Sequence, residues 1–157
     1  VTSFAELYER YAPDVHRFAL YLSGDRALAD DLTSETFVRA WTSTEPIRLP
    51  TVKSYLFAIA RNLYVREMRR NSRSDALDLE APDPGADPER AAGERQELQM
   101  VLESLGTMPE IDRSALLLRV VHGMPYEEIA ATLGLSLSAA KVKVHRARLK
   151  LGAARCS

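Results

Sequence analysis

The chain has one cysteine, Cys156, near the end of its 157 residues, so no internal disulfide can form. That thiol and three scattered histidines have no zinc-site spacing. Apolar runs break within a few residues, far short of the ~20 a bilayer span requires, and no membrane insertion is expected. Val1-Thr2-Ser3-Phe4 lacks the basic residues and apolar stretch of a secretory signal. Strand-type alternation is absent, and so are a phosphate-cradling glycine loop and a nucleophile–base pair. The adjacent carboxylates Asp30 and Asp31, or Glu127 and Glu128, would point about 100° apart on a helix and cannot share a site. These absences predict a cytoplasmic, non-catalytic, all-α protein that needs no cofactor.

A net charge of −1 argues against a nucleic-acid binder, but its distribution argues the other way. From Ser136 onward the charged side chains are Lys141, Lys143, Arg146, Arg148, Lys150 and Arg155, with no acid among them. Between Asp75 and Glu110 ten acids face only Arg90 and Arg95. Segregation of this kind steers a chain toward phosphates more effectively than its net charge suggests.

Helical spacing organises the chain into two groups. Phe4, Leu7, Tyr8 and Tyr11 form one apolar stripe, and Val15, Phe18, Ala19 and Leu22 form a second, with Pro13 expected to start a separate helix. A third helix is expected from Arg26 to Trp41, with Leu32, Phe37 and Trp41 as core candidates. A loop with two prolines follows, then a fourth helix from Thr51 to Arg70. Asp75 to Ala92 combines acids, alanines, three prolines and a glycine, the composition of a flexible linker. Beyond it lie a helix through Leu98, Val101, Leu102 and Leu105, then helices over Glu110–His122, Tyr126–Leu133 and Ser136–Ala153. The expected architecture is therefore two small helical domains, residues 1–73 and 93–157, joined by an acidic linker over 74–92.

Tyr126 to Arg148 carries the sharpest signal. Ile129, Ala130 and Leu133 face inward, Gly134 permits a left-handed turn, and Ser136 or Ser138 can cap the next helix. On that helix Ala140, Val144, Ala147 and Leu151 form a narrow buried stripe. Ser138, Val142 and His145 lie on the opposite side, with Lys141 and Arg148 on one shoulder and Lys143 and Arg146 on the other. An apolar spine with basic shoulders suits a helix lying in a DNA major groove. On the fourth helix Tyr55, Asn62, Arg66, Arg69 and Arg73 recur within roughly 40° of one another, and Arg61 and Arg70 widen the basic surface. Asp31, Glu35 and Arg39 align at i+4 steps on the third helix. They fit intrahelical ion pairs or a docking face equally well.

Taken in order, Asp31-Leu32 through Trp41, LFAIARN at Leu56–Asn62 and Arg69-Arg70 resemble region 2 of extracytoplasmic-function sigma factors. YEEIA, LGLS and HRAR within Tyr126–Arg148 resemble region 4 of that family. The resemblance implies a subunit that gives core RNA polymerase its promoter specificity. Asp31, Glu35 and Arg39 would dock on the β′ clamp helices, with a further contact to the β flap. Tyr55, Arg61, Asn62, Arg66, Arg69 and Arg70 would melt and read the −10 element of promoter DNA. Ser138, Ala139, Lys141, Val142, Lys143, His145, Arg146 and Arg148 would read the −35 element as duplex. It further implies control by an anti-sigma factor. The chain departs from the family pattern at Ser34, where Gln is usual, at Tyr55, where Trp is usual, and at Ala139, Ala140, Val142 and Lys143. Ala139 and Val142 remove hydroxyl groups and would favour apolar contact with a thymine methyl. A LuxR-type helix-turn-helix regulator is the competing reading, but residues 4–70 show no βα alternation for a receiver domain.

Overall fold

The computed structural model describes residues 3–74 and 92–156, so most of the expected linker lies outside the described residues. Those residues form seven helices and no strand: α1 (Phe4–Ser23), α2 (Arg26–Thr42), α3 (Val52–Ser74), α4 (Ala92–Gly106), α5 (Glu110–Val120), α6 (Tyr126–Leu133) and α7 (Leu137–Cys156). The helix ends follow local chemistry. Ser3 and Glu6 close a reciprocal capping box on α1, and the Asp25 carboxylate accepts the Leu28 amide to start α2. Gly24 ends α1 at φ 70° and Gly134 ends α6 at φ 68°, a left-handed conformation that an L side chain resists.

The two helices expected before Gly24 are one continuous helix with Pro13 inside it. Proline removes one hydrogen bond, to the Glu9 carbonyl, but both Glu9 and Pro13 are exposed and water can satisfy that carbonyl. Meanwhile Ala12, Val15, Phe18, Ala19 and Leu22 are buried on both sides of the defect, so tertiary packing holds the helix through it. Trp41, expected in the core, is 49% exposed and pairs edge-on with the Phe4 ring at 5.6 Å.

α1, α2 and α3 form a first module around Phe18, Phe37, Leu56 and Phe57, and α5, α6 and α7 a second around Leu118, Ile129 and Val144. The modules are not separate. α1 packs on α4 and α5, and α3 packs on α6. At the seam the His122 ring sits 4.6 Å from the Phe57 ring and 6.1 Å from Phe18, and its Nε2 is buried without a hydrogen-bond partner among the described residues.

Burial foremost, then the nearby Lys53 and, less strongly, Arg17, lower the His122 pKa from 6.5 to about 4, while Asp14 opposes the shift. A depressed histidine stabilises the fold fully above pH 6.5 and loses that contribution as pH falls toward 4. For a fully buried ring this would be ~3 kcal/mol; part of the ring meets water, and the expectation is ~1–2 kcal/mol. Urea titrations between pH 7 and 4 should show His122→Phe losing that much less stability than the parent. Parallel curves would show that the seam does not sense this proton.

Candidate nucleic-acid interface

A cleft of about 360 Å³ opens between the end of α2 and the first half of α3, lined by Arg39, Thr42, Ser43, Tyr55, Ile59, Asn62, Leu63 and Arg66. Its construction is local. The Thr51 hydroxyl accepts the Ser54 amide at 3.0 Å and sets the entry into α3. One turn on, burial of Leu56, Ala60 and Leu63 turns Tyr55, Asn62 and Arg66 toward the cleft. From the other wall Arg39 leans on Glu35, with Nε and Nη2 at 3.2 and 3.1 Å from one carboxylate oxygen. The cleft offers an apolar floor in Ile59 and Leu63, one aromatic face, one amide and two guanidiniums. That set can take up a flat, hydrogen-bonding ring attached to a phosphate.

The residues expected at the −10 element do not share one surface. Tyr55, Asn62 and Arg66 meet in the cleft, joined by Arg39, which the sequence grouped with Asp31 and Glu35. Arg61, one residue and 100° around α3 from Asn62, points to the second module and pairs with Glu110 at 2.5 and 2.8 Å. That bond holds its guanidinium more firmly charged. Arg69 lines a different cleft with Tyr64, Glu110 and Arg113, and Arg70 pairs with Glu67 at 3.0 Å. Asp31, Glu35 and Arg39 remain together on an exposed face of α2.

The second candidate surface is α7. The Ser136 hydroxyl accepts the Ala139 amide at 3.1 Å and so is the cap. Ala140, Val144 and Ala147 are buried, which turns Ser138, Val142, His145 and Arg146 outward, with Lys141 and Arg148 exposed on one flank and Ala139 half-buried. Arg148 also borders a cavity of about 680 Å³ between α1, α4, α5 and α7. Leu149, 62% exposed, shares the outward face and was missed as a site residue, although its i+7 spacing from Val142 would have found it.

Asp112 was missed as well. It is 2% exposed in the first turn of α5, where the helix dipole favours its charge, and lies 3.6 Å from Lys143 and 3.7 Å from Arg146. Lys143 is therefore turned partly inward toward this carboxylate. Lys141 lies over the Tyr126 ring at 5.9 Å, and Lys150 donates to the Thr107 carbonyl at 2.8 Å.

Residues 7–74 match the model of sigma-70 region 2 and residues 98–151 that of sigma-70 region 4. The chain is 35% identical to the ECF RNA polymerase sigma factor SigE of Mycolicibacterium smegmatis, over 95% of its own length and 60% of that protein's. It is 34% identical to the ECF RNA polymerase sigma factor EcfG of Rhodopseudomonas palustris, over 90% of this chain and 78% of that one. Among solved structures it resembles the sigma factor RpoE bound to the anti-sigma factor NepR from Bartonella quintana, with TM-score 0.77, 25% identity, and 98% and 97% of the two chains covered. It also resembles CnrH bound to the cytosolic domain of CnrY, with TM-score 0.68, 28% identity, and 96% and 85% covered.

Proposed function

This chain belongs to the extracytoplasmic-function sigma factors of the sigma-70 family, and from that premise we propose that it binds core RNA polymerase in the cytoplasm and directs initiation at specific promoters. In this reading the Asp31, Glu35 and Arg39 face of α2 docks on the β′ clamp helices, and the second module reaches the β flap. The α2–α3 cleft receives a base of the melted −10 strand, and α7 reads the −35 duplex with Ser138, Val142, His145 and Arg146 foremost. The division at residues 73 and 93 into a −10 module and a −35 module belongs to the same proposal. The observation that carries it is the cleft, where Tyr55, Asn62 and Arg66 converge with Arg39 on a space suited to a single base. A regulator of LuxR type is not favoured, because residues 7–74 match sigma region 2. Control by an anti-sigma factor is part of the proposal, supported by the likeness to RpoE in its complex with NepR.

Run-off transcription with purified core polymerase on a genomic promoter library tests the reading. The chain should select a defined promoter set with core yet bind the same DNA poorly alone, and Glu35→Lys should lower holoenzyme yield without loss of helicity. Tight sequence-specific binding of the free chain, with no effect on core, would identify a conventional regulator instead.

A further inference from the structure

We propose that the cavity between α3 and α5 is a binding site for a small phosphate monoester with a hydroxylated body, a sugar phosphate in chemical class. The proposal goes beyond the promoter reading and does not depend on it.

The cavity has a volume of about 480 Å³, within the range of sites that hold small organic ligands and more than a bare phosphate fills. Its charged lining is Arg69 from the last turns of α3 and Arg113 from the first turn of α5, together with Glu110. Arg113 is only 8% exposed, and a guanidinium so deeply placed normally faces a carboxylate. Here its partners among the described residues are all neutral. Nη1 donates to the Leu22 carbonyl and, at 3.0 Å, to the Tyr64 hydroxyl, and Nη2 donates to the Met108 carbonyl at 3.2 Å. Nε is buried with no partner among the described residues. Neutral dipoles steady the cation without cancelling it, so a full positive charge stays beside the cavity.

Arg69 supplies a second charge. It is exposed and forms no ion pair among the described residues. Glu110 does not cancel the two, because both its oxygens already accept from Arg61, at 2.5 and 2.8 Å. The cavity is thus left with two unopposed guanidiniums. Near pH 7 a phosphate monoester carries close to two negative charges, which that pair balances.

The remaining groups extend the match from the phosphate to the body of the ligand. The Tyr64 hydroxyl accepts from Arg113, so its own proton is left to donate. Ser72 brings a second hydroxyl from the end of α3. The Glu110 carboxylate keeps acceptor capacity beyond what Arg61 and Ser114 use, and it can take a sugar hydroxyl. Val65 and Met68 form a short apolar wall for the carbons between. Inorganic phosphate would use the cations alone, and a neutral sugar would leave them unopposed.

Titration calorimetry on the full chain with ribose 5-phosphate, ribose and inorganic phosphate tests the site. Ribose 5-phosphate should bind one to a chain with a Kd below about 1 mM, and about tenfold or more tighter than either of the others. Arg69→Ala should weaken it about tenfold or more and Ser72→Ala a few-fold, both at unchanged helicity because both side chains are exposed. Arg66→Ala removes a cation of the same helix from the α2–α3 cleft instead, and it should leave the affinity as it was. Absence of saturable binding by ribose 5-phosphate overturns the site. Equal affinity for inorganic phosphate overturns the sugar-phosphate class. A loss with Arg66→Ala matching that with Arg69→Ala would mark general attraction to a basic helix and overturn the assignment to this cavity.

Discussion

Alanine at Asn62 should leave a promoter bound but unopened. Asn62 is exposed, so its loss costs the fold little. The amide nonetheless offers the cleft two N–H donors and a carbonyl acceptor in one plane, the equipment needed to read a base edge. Removing one such contact costs ~1–3 kcal/mol, a loss of open complex at a matched promoter of about 5- to 150-fold. Tyr55→Ala should behave likewise by removing the aromatic face. Lys141→Ala on α7 should act earlier, lowering duplex binding before any strand separates. Permanganate footprinting on a promoter with a pre-melted −10 bubble separates the two. The bubble should rescue Asn62→Ala and leave Lys141→Ala impaired. Equal defects with equal rescue would show that the two modules do not divide the reading of the promoter.

Phe57→Ala should be the most damaging single truncation for stability. The ring is wholly buried, 5.1 Å from Phe18 inside its own module and 4.6 Å from His122 of the other. Truncating such a phenylalanine removes its transfer energy and leaves a cavity, together ~3–5 kcal/mol. Because the ring touches both cores, the loss should reach both modules. Urea unfolding followed by Trp41 fluorescence, the chain's only tryptophan and part of the first module, should coincide with the loss of overall helicity. A loss below ~1 kcal/mol, or two well-separated transitions in the parent, would contradict this account.

Helices such as α1, α3 and α7 could be read from apolar spacing because each buries a stripe of its own, whereas α5 is buried all round from Asp112 to Leu118. The α7 stripe of Ala140, Val144 and Ala147 is the clearest case, and the turn at Gly134 needed only its φ above zero. Pro13 misled because a local rule met a helix braced by buried residues on both sides. Trp41 misled because an indole's apolar character does not fix its burial, and here the ring is 49% exposed. The gathering of Tyr55, Asn62 and Arg66 followed from spacing on one helix. The arrival of Arg39 did not, since it needs the angle between α2 and α3. The roles of Glu110, Asp112 and Arg113 were hidden for the same reason: adjacent charges in a sequence read as solvated surface until packing shows which neighbour each one meets.

Asp112 also changes what the basic end of the chain is worth to DNA. Each cation that neutralises a phosphate releases a counterion, and the logarithm of affinity falls with the logarithm of salt by about 0.9 per phosphate on duplex DNA. Counting Lys141, Lys143, Arg146, Arg148 and Lys150 as five such contacts suggests a slope of roughly −4.5. Yet Lys143 and Arg146 already share the Asp112 carboxylate, and Lys150 already donates to Thr107. On the proposed reading, only Lys141 and Arg148 of these five would meet a phosphate without first giving up an ion pair or a hydrogen bond within the chain, and two contacts correspond to a slope nearer −2. Much of the helix's positive charge is thus spent on holding its own module together. A filter-binding titration across salt should therefore find duplex binding by the proposed −35 helix less sensitive to ionic strength than its charge count predicts.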